Sequence, residues 1–176
     1  DGAGADGIDD VLVQMAVCQE RLRYRFKDPE LLRAALTHAS GAEHRLASDE
    51  RLEFLGGSIL GVIVCEMLFR QYPDYLEGDL TKIKSVVVST AILARESNRL
   101  KLTSFYNVGK GVTKRTSLPV SLQANVFEAV VAAIYKDGGL EEARRFILRN
   151  LFHHVLAVAQ DEYQRNYKSL LQQQAQ

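Results

Sequence analysis

The stretch Ser48–Leu68, SDERLEFLGGSILGVIVCEML, decides how the rest of the chain is read. Leu52, Leu55, Ile59 and Ile63 recur at spacings of three and four, which draws one apolar stripe along a helix. Ser48 or Asp49 stands where an N-cap belongs, and Asp49 and Glu50 suit the positive end of the helix dipole. At about 100° per residue, Glu50, Glu53 and Gly57 share a face about 60° wide, distinct from the stripe. Solvated carboxylates on an amphipathic helix are ordinary, so this face alone does not mark a site.

A second stretch, Ser121–Tyr135 (SLQANVFEAVVAAIY), changes that. Asn125 and Glu128 sit three apart and share a helical face. An apolar run, Ala129 to Ile134, follows them, so Glu128 stands at the edge of a buried segment. A buried carboxylate needs a partner or a metal. Two helices, each offering a glutamate with a second position three or four residues away, make an oxygen-ligand site suited to Mg²⁺, which takes few carboxylates, several waters and a phosphate.

ERLEFLG followed by a small residue, then a VFEA segment running into AAIYKDGG, resembles the ribonuclease III family. LTHAS at Leu36–Ser40, YLEGDLTKIKSVVVS at Tyr75–Ser89 and the terminal YKSLLQQQAQ extend the likeness from about Gln19 to the last residue. The resemblance implies an all-α nuclease domain of roughly seven to nine helices. It also implies a homodimer acting as a Mg²⁺-dependent endonuclease on double-stranded RNA, with Mn²⁺ as a substitute ion. Such an enzyme would leave a 5′-phosphate, a 3′-hydroxyl and a two-nucleotide 3′ overhang. Duplex RNA is selected by A-form shape and by 2′-hydroxyl and phosphate contacts rather than by sequence.

The family's four acidic metal-site positions fall, by this resemblance, at Glu53, Gly57, Asn125 and Glu128. Two carboxylates survive. Gly57 offers no side chain, and Asn125 keeps a carbonyl oxygen without the charge. Glu53, Glu128 and Asn125 are then the expected metal ligands, with Glu50 and Glu77 in supporting positions. A hard cation is held mainly by charged oxygens, so Mg²⁺ binding and hydrolysis are expected to be impaired. The alternative is a non-catalytic duplex-RNA-binding or ribosome-associated dimer on the same fold. Phe54 resembles the aromatic that family members insert into a socket on the partner; its other reading is intramolecular core.

The remaining chain fits one well-cored domain: 176 residues, 47% hydrophobic. The formal net charge is zero, which does not advertise a nucleic-acid binder, although Asp1, Asp6, Asp9 and Asp10 hide a net basic remainder. Residues 1–10 read as a flexible acidic tail, 11–160 as the nuclease domain and 161–176 as the start of a linker toward a double-stranded-RNA-binding domain. Cys18 and Cys65 lie within helical apolar patterns and make no disulfide framework, which fits a reducing cytoplasm. No apolar run is expected to span a membrane, and no signal-peptide pattern is present.

Local signals fill in the other helices. Ile8–Leu22 is helical by period, and Pro29 takes an N1 position after a turn at Lys27–Asp28. His38 closes that short helix as a structural residue bonding nearby backbone. Glu77–Leu93 is expected as one helix with Leu80, Ile83, Val87 and Ala91 inward, followed by a short helix and turn over Ser97–Tyr106. Asn107–Ser117 is a glycine-rich loop whose Lys110, Lys114 and Arg115 are either solvated or phosphate contacts. Pro119 opens the second metal-site helix, and Asp137–Gly139 stops it. Leu140–Gln160 is a long amphipathic helix whose Arg144, Arg145 and Arg149 form either a solvated face or a backbone-binding stripe. His153 and His154 are adjacent and are expected to point apart, unable to hold one metal together. Gly56 belongs to the family motif and is expected to permit close backbone packing, whereas Gly57 has no such reason.

Overall fold

The computed structural model describes residues 5–109 and 118–174; Lys110, Lys114 and Arg115 lie outside the described residues. Seven α-helices and three short 3-10 turns make up the described residues: α1 (Ala5–Leu22), α2 (Pro29–Ala35), α3 (Glu50–Gln71), α4 (Glu77–Val87), α5 (Thr90–Arg99), α6 (Val120–Gly138) and α7 (Leu140–Gln174). No strand occurs among them; VIVCEML is helical, SVVVS is helical as far as Val87, and a single bridge joins Thr37 to Asn107.

The run Ala129–Ile134 is apolar on every side, and a helix without a polar face must be surrounded. α6 is accordingly the axis of the domain, with Phe127 and all six residues of that run fully buried. Helices α2, α3, α5 and α7 pack around it. α3 lies closest. A Cβ built on Gly56 would stand 1.8 Å from the carbonyl oxygen of Glu128, so only glycine lets the two backbones meet there. By length and composition α3 could cross a membrane, contrary to the sequence expectation. Its Ile59, Leu60, Ile63, Val64 and Leu68 are instead buried in the domain core.

Expectations for the middle of the chain need correction. Glu77–Leu93 is not one helix: α4 stops at Val87, and the Ser89 hydroxyl accepts a hydrogen bond from the Ile92 N–H to start α5. The break resets the helical phase, so Leu93 and Ala94 face inward and Ala91 faces solvent. Ser97 belongs to α5, and a 3-10 turn over Leu102–Phe105 follows. α1 begins at Ala5 and α7 continues past residue 160 without a break. The α6 end is held by Asp137, whose carboxylate accepts from the Tyr24 hydroxyl and from the N–H groups of Lys27 and Asp28. Gly139, at φ 86°, turns the chain into α7.

The arginines of α7 are engaged. Arg144 pairs with Glu66 and Glu141, Arg145 with Glu142, and Arg149 donates to the Leu22 carbonyl. His38 behaves as expected: its Nδ1 accepts from the Ser40 N–H.

Candidate active site

Glu53 stands in the first turn of α3, and Gly57 follows one turn later on the same face. Asn125 and Glu128 stand one turn apart on α6. The close approach at Gly56 brings these two faces together. A Cβ on Gly57 would lie 3.1 Å from Oε1 of Glu128, so the Glu128 carboxyl leans over the place where α3 has no side chain. All four residues are half-buried.

The electrostatics follow from that crowding. Burial, and then the neighbouring Glu53 carboxylate, push Glu128 up to about 7. Glu53 is raised too, by burial first and then by Asp49 and Glu50. The influences that move both groups are desolvation and like charge, which disfavour an ionised carboxyl until a cation or proton arrives.

Asp49 is a site neighbour that the sequence did not single out in this role. It precedes α3 at the N-cap position, but its side chain makes no capping bond. It is 2% exposed and accepts a hydrogen bond from the Tyr106 hydroxyl. Burial raises its carboxyl, and the Tyr106 bond and nearby His38 offset part of that. An acidic residue beside Glu50 was visible in the sequence; its tyrosine partner, far along the chain, carried no signal.

Of the supporting glutamates, Glu50 borders this cluster and acts on Glu53, whereas Glu77 lies away from it. Glu50 is exposed and held by Arg45, whose guanidinium donates to both carboxylate oxygens and keeps Glu50 below the usual carboxylate range. Glu77 accepts from the Thr81 hydroxyl and lines a groove with Cys65, Phe69, Tyr72 and Lys84. Cys65 lies twelve residues beyond Glu53 on α3, which is about 18 Å along the helix axis. Phe54 is 82% exposed and so is not intramolecular core.

Comparison with known proteins identifies the family. A Ribonuclease-III-like family model matches residues 28–155. The chain is 53% identical over 167 residues to Ribonuclease 3 of Rhodopirellula baltica, covering 95% of this chain and 63% of that protein. It is 44% identical over 163 residues to Ribonuclease 3 of Symbiobacterium thermophilum, covering 92% and 69%. The chain therefore spans roughly two thirds of the length of these relatives. Among solved structures, a nuclease domain of ribonuclease III from Campylobacter jejuni superposes with a TM-score of 0.72 at 33% identity, covering 77% of this chain and 92% of that one. Dicer from Giardia intestinalis shares the fold, with a TM-score of 0.64 at 20% identity over 81% of this chain and 19% of its own. The all-α architecture, the meeting of α3 with α6 and the matched length together show that the chain belongs to the ribonuclease III family.

Proposed function

We propose that the chain is the nuclease domain of a cytoplasmic, homodimeric endoribonuclease of double-stranded RNA, with hydrolysis weakened by Gly57 and Asn125. One observation carries the reading: the Glu128 carboxyl leans over Gly57, with Glu53 near enough to raise it. The donors there suit a hard divalent cation. Glu53 and Glu128 offer charged oxygens, Asn125 a neutral one, and burial with like charge leaves both carboxyls in want of a counter-ion. Bound Mg²⁺, or Mn²⁺ in its place, would ready a water for in-line attack on a phosphodiester and neutralise the leaving oxygen.

The residues of the chain divide the remaining work. Glu53 and Glu128 hold and orient, and their half-buried setting limits competing water. Asp49 and Tyr106 brace the start of α3, from which Glu53 projects. Lys110, Lys114 and Arg115 supply phosphate contacts. Phe54, with its exposed neighbours Val62 and Phe69 on α3, supplies an apolar face for the second copy.

Cleavage of labelled duplex RNA tests the reading. Gly57→Asp with Asn125→Asp should cut at least roughly 100-fold faster in Mg²⁺ than the unchanged chain, the scale of one well-placed electrostatic group. Equally fast cleavage by both chains would overturn the impairment. The missing side chain at Gly57 also favours a second reading, a non-catalytic duplex-RNA-binding or ribosome-associated dimer. A retarded but intact RNA band, unchanged after both restorations, would select it.

A further inference from the structure

Away from the α3–α6 carboxylates, α5 and α7 meet over a different set of groups. Glu96 on α5 is 1% exposed, yet it carries a carboxylate. Its Oε2 accepts from Nε of Arg99 at 2.7 Å, which leaves Oε1 facing α7. Nε2 of His154 lies 2.8 Å from Oε1, and Nε2 of His153 lies 3.8 Å from the same oxygen. The expectation that His153 and His154 diverge is therefore wrong. Successive Cβ atoms do point about 100° apart on a helix, but the imidazoles fold toward Glu96 and lie with centroids 3.9 Å apart, their planes tilted by 39°.

The structure assigns to Glu96, His153 and His154 a second metal site, for a transition-metal ion of the Zn²⁺ class, bridging α5 and α7. Three ligand atoms, one from each residue, lie within 4.8 Å of one another. Around a tetrahedral Zn²⁺ with bonds of about 2.0–2.1 Å, adjacent ligand atoms stand about 3.3 Å apart. The observed 2.8 and 3.8 Å bracket that separation, so small side-chain rotations seat an ion. Arg99 occupies the other carboxylate oxygen and fixes the plane of Glu96, as a supporting shell does at metal sites.

A neutral ring nitrogen is the form that binds a metal. The His153 side chain is 59% exposed, which gives the ion a route in and leaves a fourth position for water. Imidazole donors select the Zn²⁺ class, whereas the all-oxygen cluster on α3 and α6 selects Mg²⁺, so the two sites separate by ligand chemistry.

Co²⁺ titration of the purified chain in excess Mg²⁺, followed by visible absorption, tests the site. One equivalent should bind with a tetrahedral-type spectrum, and Zn²⁺ should displace it. His153→Ala, a change at an exposed ring, should weaken binding by at least roughly 100-fold, no less than loss of a supporting residue costs elsewhere. Glu53→Gln with Glu128→Gln should leave it unchanged. A measurement on the unchanged chain stands beside this one: Zn²⁺ should protect the exposed ring of His153, but not the exposed His44, from acylation read by mass spectrometry. Absence of Co²⁺ binding, binding that survives His153→Ala or is lost with Cys65→Ser, or an unprotected His153 would each overturn the assignment.

Discussion

Two glutamates sit where helices of this domain meet, and they are treated in opposite ways. Glu96, between α5 and α7, has an arginine on one oxygen and a histidine on the other. Glu128, between α6 and α3, has a bare glycine and a second glutamate for neighbours. The first carboxylate already has partners within the fold, and the ion proposed there would sit between it and its histidine. The second is kept short of partners by a fold that could have supplied them. A buried charge that lacks an internal counter-charge marks a place built for something from outside.

The largest way to break this contrast is to separate α3 from α6. Gly56→Ala forces a Cβ into the Glu128 carbonyl, with no flexible group able to give way. We expect at least about 4 kcal/mol of destabilisation, or no soluble protein, in urea unfolding. Gly57→Ala, meeting only the end of a side chain, should stay within about 1 kcal/mol of the parent. Similar losses for both would remove the distinction between the two glycines.

Glu96→Gln comes next. It cancels the charge that Arg99 and His154 were arranged around, and should cost about 2 kcal/mol. That is less than a fully buried pair would cost, since Arg99 is half in water. Glu128→Gln should act in the other direction. The folded-state carboxyl titrates at about 7 against an ordinary 4.5, so between those values the native state binds more protons than the unfolded chain. Its contribution to stability is full below pH 4.5 and is lost as pH rises through 7. In chelator at pH 8 the glutamine variant should therefore gain roughly 1–2 kcal/mol, discounted from about 1.4 kcal/mol per unit for partial exposure. A loss of stability at pH 8 would contradict the crowding described at the site.

The smallest expected effect sharpens the contrast. Gly57→Asp adds a third carboxyl against Glu53 and Glu128, and should lower the melting temperature modestly in chelator, by the equivalent of about 1 kcal/mol. Millimolar Mg²⁺ should reverse the sign, stabilising the variant above the parent. A variant indifferent to Mg²⁺ would mean that the three groups do not share an ion.

Much of this was legible in the sequence, and the reasons differ by residue. The α6 core run and the α3 stripe are periodic over several turns, so their burial could be read directly. Gly56 was readable as a point of close approach through its place in the family motif, not from the glycine pair itself. The break at Ser89 was misread although its signal was present: a serine before Thr90 is an N-cap, but the β-branched run before it kept the helical period going. The convergence of His153 and His154 was not readable at all. Neighbours on a helix diverge at Cβ, and only a carboxylate from another helix, more than fifty positions away, draws their rings together. Asp49 and Tyr106 were hidden for the same reason, being paired across 57 positions.

The Asp137 carboxylate carries a last consequence, one of timing. It latches the turn between α1 and α2 to the far end of α6, across 113 positions of sequence. A chain released amino terminus first cannot close this latch until residue 137 has emerged. The first of the described helices is thus secured late, and until then the turn after α1, with the α1 face that leads into it, lacks its tie to the end of α6. Slow emergence between residues 30 and 137 would prolong the interval in which that face is open to chaperones or to misassembly.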